Sequence, residues 1–174
     1  MYHFFVDSSA IGEGKVRITG ADLNHMKNVL RMRIGEDVWI SDGSEKEYHC
    51  TIEEFQEDSA VLHILYAQKS QYELPSRIYL FQGLPKGDKM ELIIQKAVEL
   101  GAVRIVPFFS RYCVAAPKKE EQKNLRYNRI AFEAAKQSGR GVVPQVELPV
   151  TYKQMLADAA RNDAAFFCYE AGGE

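Results

Sequence analysis

Along the first 70 residues, apolar and polar side chains alternate over short stretches that turn residues interrupt. Val61-Leu62-His63-Ile64-Leu65 alternates, and Val38-Trp39-Ile40 carries residue types that suit a pleated surface. Strands are predicted over 2–7, 15–20, 37–41, 48–55 and 60–66, with turns at Gly12-Glu13-Gly14, Asp42-Gly43 and Glu57-Asp58-Ser59. After the second strand, Leu23, Met26, Val29 and Leu30 fall at helical spacing. A helix is therefore expected over 22–31, with Asp22 as its N-cap. Short strands around one helix suit a small barrel, with Trp39 in its core.

Beyond the polar stretch 69–76, which contains Pro75 and reads as a linker, the period changes. Apolar strands over 77–82, 103–109 and 164–169 alternate with helices over 88–100, 120–138 and 151–161, the rhythm of a parallel sheet with covered faces. Asp88-Lys-Met-Glu91 and Thr151-Tyr-Lys-Gln154 match the reciprocal capping pattern of helix starts. The chain thus divides into a barrel over 1–70 and an α/β domain over 71–174. Its last strand runs into Tyr169-Glu-Ala-Gly-Gly-Glu174, where a ligand loop of an open α/β sheet would begin. Three strands are few for a sheet, so the second domain is expected to lack its C-terminal part.

Composition narrows the class. The 174 residues, 46% hydrophobic and 26% charged, fit one large or two small globular domains rather than a disordered chain. No apolar run reaches the roughly 18 residues of a membrane-spanning helix. Cys50, Cys113 and Cys168 are odd in number and scattered, which excludes a disulfide framework and points to a reducing cytoplasm. P-loop, dinucleotide-binding, serine-hydrolase and zinc-protease motifs are absent. No metal site is expected, because His3, His25, His49 and His63 lack ligand-like spacing.

The net charge of −2 hides a division, with −5 in residues 1–70 and +3 in residues 71–174. Lys15, Arg17, Lys27, Arg31 and Arg33 face Asp22 alone in their window, and His25 sits among them. Eight Lys and Arg between Arg111 and Arg140 face three glutamates. Such local patches attract phosphates whatever the total, although solvated surface faces would look the same.

Two candidate sites stand out. Gln82-Gly-Leu-Pro-Lys86-Gly-Asp88-Lys89 joins a strand to a helix start, where free N–H groups favour an anion and Lys86 and Lys89 add charge. Arg126, Arg129, Glu133, Gln137 and Arg140 recur at three- and four-residue steps, so they share one helix face. Planar donors of this kind suit phosphates and bases.

Three segments then become familiar: His25-Met-Lys-Asn-Val-Leu-Arg31, Pro85-Lys-Gly-Asp-Lys-Met-Glu-Leu-Ile-Ile-Gln-Lys-Ala-Val-Glu-Leu-Gly101 and Arg129-Ile-Ala-Phe-Glu-Ala-Ala-Lys-Gln-Ser-Gly-Arg140. In this order they resemble the bacterial 16S rRNA uridine-N3 methyltransferases of the SPOUT class. The resemblance implies an N-terminal PUA-like β-barrel and a C-terminal parallel-sheet α/β domain that binds S-adenosylmethionine in a trefoil knot. It also implies a homodimer acting on 16S ribosomal RNA or the small subunit. Family members continue into a Gly-Pro-Glu-Gly-Gly loop and further knot elements that this sequence lacks. Only a rim of the cofactor pocket near Tyr169 and Glu170 is expected here.

For such a reaction, Glu133 is the expected proton acceptor at uridine N3, with Arg140 stabilising charge on the uracil carbonyls. Arg17, Arg31, Arg33, Lys86, Lys89, Arg111, Arg126 and Arg129 would hold phosphates, with His25 and Gln137 beside them. A non-catalytic RNA-binding protein and an enzyme for a phosphorylated metabolite at the Lys86–Lys89 corner remain alternatives.

Overall fold

The computed structural model describes residues 2–111, 113 and 120–168. Six strands form the first sheet: β1 (Tyr2–Phe5), β2 (Ile11–Gly12), β3 (Lys15–Thr19), β4 (Asp37–Ser41), β5 (Lys46–Phe55) and β6 (Ser59–Lys69). Their order is β1-β4-β5-β6-β3-β2, antiparallel except where β1 runs parallel to β4. Register shifts that leave Glu53 of β5 and Leu65 of β6 as extra residues interrupt the β5–β6 ladder, as bulges do. The sheet wraps a core of Phe4, Val16, Ile18, Val38, Ile40, Cys50, Ile52 and Leu62. Burial pushes the Cys50 thiol up to about 12.

Two expectations need correction here. Trp39 is not core: Val38 and Ile40 point inward, so the period of two turns the indole between them to the half-buried outer face. The single helix expected over 22–31 is a short α1 (Gly20–Asn24) followed by a wider π turn over His25–Val29. Thr19 holds the N-cap position, without a side-chain cap bond, and Asp22 lies inside the first turn. Leu23 and Met26 cover the core from this segment.

The second unit contains β7 (Ile78–Gly83), α2 (Lys89–Glu99), β8 (Ala102–Phe109), α3 (Glu120–Ser138), β9 (Gln145–Val146), β10 (Val150–Thr151) and α4 (Tyr152–Ala159). Central β8 runs parallel to β7 on one side and to β9 and then β10 on the other. Met90, Ile94 and Val98 of α2, Ile105 of β8, Ala131, Ala134 and Ala135 of α3 and Val146 of β9 form its core. The short alanine side chains let α3 pack closely.

At α4 the reciprocal cap forms as expected between Thr151 and Gln154. At α2 it does not: Asp88 makes no side-chain cap bond, and Glu91 turns instead to Arg126, 2.8 Å away. Of the strand expected over 164–169, the described residues 164–168 form none, and 169 lies outside the described residues. Residues 164–168 have no regular structure, and Phe166 is 93% exposed, because an apolar run becomes a strand only where a neighbour pairs with it.

The two units meet through named contacts. Phe5 packs on Phe132 with ring centroids 5.6 Å apart. Lys136 donates to Asp22 at 2.7 Å and lies 5.0 Å above the Phe4 ring. Ser41 Oγ donates to the Gly141 carbonyl at 2.8 Å. The linker is anchored as well, since the Ser70 hydroxyl donates to Glu47 and Glu73 accepts from Arg140. Among the described residues, no helix is long and apolar enough to cross a membrane, and no cluster of His, Cys, Asp or Glu has the makings of a metal site.

Candidate nucleic-acid interface

Helix α3 sorts its residues by burial as the sequence pattern demands. Ala131, Ala134 and Ala135 are buried, while Arg126, Arg129, Glu133 and Gln137 are exposed on the opposite side. These four are brought together on one open stripe. Arg126 reaches Glu91 in the first turn of α2, which links the stripe to the corner where Lys86 and Lys89 are exposed. The Glu133 carboxylate has no hydrogen bond or ion pair among the described residues, so it does not serve as an arginine-orienting partner.

Arg140 does not join them. The helix ends at Ser138, and Gly139 takes a left-handed φ of +69° that turns the next residue inward. The Arg140 guanidinium is 2% exposed and fully engaged. Nε and Nη2 donate to the Glu73 carboxylate at 3.1 and 2.5 Å, and Nη1 donates to the carbonyls of Val98 and Ala102 at 3.0 and 2.6 Å. Glu73 also accepts from the backbone N–H groups of Gly141 and Val142. The expected catalytic role of Arg140 is therefore corrected: it locks the linker, the end of α2, the start of β8 and the exit of α3 together.

On the barrel, Arg17 donates from Nη1 to Gln56 and to the Ser59 hydroxyl. Arg31 and Arg33 are exposed just past the π turn, and Arg31 adopts a φ of +53°. His25 sets its ring edge-on to Phe4, with centroids 6.1 Å apart. Arg111 is exposed just past β8. Tyr169 and Glu170 lie outside the described residues.

Sequence reasoning overlooked Lys136. It is one residue from the open stripe, yet it reaches α1 through Asp22 and shares the Phe4 ring with His25. Its neighbour Phe132, one turn earlier, was the available signal, because a lysine and an aromatic at that spacing share a side of the helix. The contact joins basic windows that lie a hundred residues apart in the chain.

His3 lies beside this seam, its Nε2 buried without a partner among the described residues. Burial, with help from the Lys136 charge, lowers its pKa from 6.5 to about 4. The folded protein thus refuses a proton that the unfolded chain accepts. Stability is expected to be full above about pH 6.5 and to fall between pH 6.5 and 4, by at most about 3 kcal/mol. Urea midpoints across that range check this, and His3→Leu is expected to flatten the decline.

Among the described residues, the two orphaned buried side-chain nitrogens, His3 Nε2 and His49 Nδ1, both belong to the barrel. At the carboxyl end of β7, where a ligand of an open α/β sheet would sit, the space beside Gly83 is occupied by the Phe108 ring 3.4 Å from a Cβ position.

A curved sheet followed by a parallel α/β sheet is the arrangement of a PUA-like domain joined to a SPOUT-type methyltransferase fold, and the comparisons with known proteins assign it to that class. Family models agree: an RNA methyltransferase PUA domain matches residues 18–65 and an RNA methyltransferase domain matches residues 72–174. The chain belongs to this RNA methyltransferase family. It is 36% identical over 155 residues to the ribosomal RNA small subunit methyltransferase E of Bacillus subtilis, covering 88% of this chain and 60% of that one. To the Synechocystis protein of the same name it is 31% identical, covering 91% and 51%. A crystal structure of the Neisseria gonorrhoeae protein of that name, bound to S-adenosyl methionine, superposes with a TM-score of 0.78 at 29% identity, covering 90% of this chain and 64% of that one. A Legionella pneumophila methyltransferase in complex with the same cofactor gives a TM-score of 0.81 at 25% identity, covering 99% and 72%. The chain thus spans about half to two-thirds of the length of the curated relatives it matches.

Proposed function

We propose that this chain is the RNA-holding part of a cytoplasmic enzyme that methylates N3 of a uridine in 16S ribosomal RNA, with S-adenosylmethionine as donor. The names of its relatives support the substrate and the reaction class, and two solved neighbours support the donor. The observation that carries the reading is the Lys136–Asp22 contact, which sets the basic segment of the barrel against the open stripe of α3. Arg31 and Arg33 hold phosphates on the barrel, as does Arg17. On the other unit, Lys86, Lys89, Arg111, Arg126 and Arg129 do the same, and His25 and Gln137 supply further polar contacts. The active enzyme is a homodimer, as the family resemblance implies.

N3 of uridine is engaged in a base pair within a helix, so the target base must be unpaired before it reacts. The donor supplies an electrophilic methyl group. This chain's part is to fix the RNA and to accept the N3 proton. Glu133, unpartnered among the described residues and exposed amid arginines, is the proposed acceptor. In a chain of the relatives' full length, Glu133→Gln is expected to lower methyl incorporation at least about tenfold while RNA affinity stays within about twofold, the mark of a group used in the chemical step. Transfer of a radiolabelled methyl group to 16S rRNA or small subunits, followed by nucleoside analysis, tests both statements. RNA bound tightly by the full-length wild type without any N3-methyluridine formed would leave a non-catalytic RNA-binding protein.

A further inference from the structure

We infer that the outer face of the barrel carries a stacking platform for an unpaired RNA base, built from Trp39, His49 and Tyr66. The inference rests on the RNA-binding reading above and extends it to a site outside the basic windows. The strand register sets Trp39 opposite His49 across β4 and β5, and His49 opposite Tyr66 across β5 and β6. All three rings touch: centroids are 4.9 Å apart for Trp39–His49, 5.0 Å for His49–Tyr66 and 5.9 Å for Trp39–Tyr66. None of them completes the core, which Val38, Ile40, Cys50 and Ile52 fill from the other side of the same strands.

The row is open where a ligand would arrive. Tyr66 and its neighbour Leu65 are each 49% exposed. Pairing of β6 with β3 runs from Thr19↔Ser59 to Lys15↔His63, so Tyr66 projects beyond the end of the neighbouring strand. The adjacent row is closed by the second domain, with Phe5 under Phe132 and Ser41 bonded to Gly141. The platform therefore begins where the domain seam ends.

Its chemistry suits a nucleobase. Every base offers a π-face, and aromatic side chains stack unpaired bases without regard to sequence. His49 sits between the two larger rings: Nε2 lies 3.5 Å from the Asp37 carboxylate, and Nδ1 is buried without a partner among the described residues. Lys15 lies in the neighbouring row of the same face, which runs Asp37–Thr51–His63–Lys15 across the strands. The ion pair of Lys15 with Glu53 is exposed and therefore weak, so a phosphate flanking a stacked base can compete for this lysine.

Trp39 is the one tryptophan in the sequence, so intrinsic emission reports on this site alone. The protein is titrated with a short single-stranded oligouridylate and with duplex RNA of the same length, while anisotropy of labelled RNA measures binding independently. Single-stranded RNA is expected to quench Trp39 in step with the anisotropy change. Duplex RNA is expected to bind with little quenching. Tyr66→Ala, at an exposed position, is expected to weaken single-strand binding roughly tenfold. Binding by anisotropy with unchanged Trp39 emission and a Tyr66→Ala affinity equal to wild type would overturn the platform and leave the RNA-binding reading intact. No binding by anisotropy would overturn both. Equal quenching by duplex, or emission that shifts on dilution of the protein alone, would assign the face to another occupant and overturn the inference.

Discussion

Arg140→Ala is expected to cost about 3–5 kcal/mol of stability, because it strands a buried carboxylate and two carbonyls at once. Glu73 would keep only the N–H groups of Gly141 and Val142, and the carbonyls of Val98 and Ala102 would lose their shared donor. Domains of this size are stable by roughly 5–15 kcal/mol, so the variant is expected to be partly unfolded at physiological temperature. Glu73→Ala should cost a similar amount. The double variant should cost clearly less than the two losses added, because removing both partners leaves no unpaired buried charge. Urea unfolding of the four proteins checks the cycle. A loss below about 1 kcal/mol for Arg140→Ala, with methylation abolished, would return Arg140 to the reaction and remove it from the frame.

Gly141→Ala is expected to loosen the barrel from the second unit. A Cβ at this position would lie 2.6 Å from Ser70 Cβ and 2.9 Å from Ser70 Oγ, closer than real contacts allow. Ser70 has little freedom to yield. It is buried, its N–H bonds the Glu45 carbonyl and its hydroxyl donates to Glu47. Overpacking of this kind costs about 1–3 kcal/mol. Displacement of Gly141 also endangers the bond from Ser41, which crosses between the units. Calorimetry is expected to resolve two transitions where the wild type shows one. Ser70→Gly added to the variant should restore part of the coupling, because it removes the atoms that clash.

Much of the architecture was legible because it depends on periodicity. The β4 strand begins and ends where alternation predicts, and α3 spans the predicted 120–138 with its alanines buried and its arginines outside. What escaped depends on partners distant in sequence. Arg140 continues the spacing of Arg126, Glu133 and Gln137, and nothing local reveals that Gly139 ends the stripe or that Glu73, 67 residues earlier, waits inside. Trp39 has the composition of a core residue, but the parity of its strand is set by Val38 and Ile40. The run over 164–168 has the apolarity of a strand without a paired neighbour among the described residues. Lys136 shows the same limit in the site: its helix was predicted, while the barrel residue it meets was not.

The most direct test of a two-domain grip on RNA is the salt dependence of affinity for a 16S rRNA fragment, compared among the wild type, Arg31→Ala/Arg33→Ala and Arg126→Ala/Arg129→Ala. Each phosphate contact contributes about −0.7 to −0.9 to the slope of log affinity against log salt. Each double variant, one on the barrel and one on α3, is therefore predicted to be shallower than wild type by about 1.5. Slopes unchanged in both variants would contradict the account.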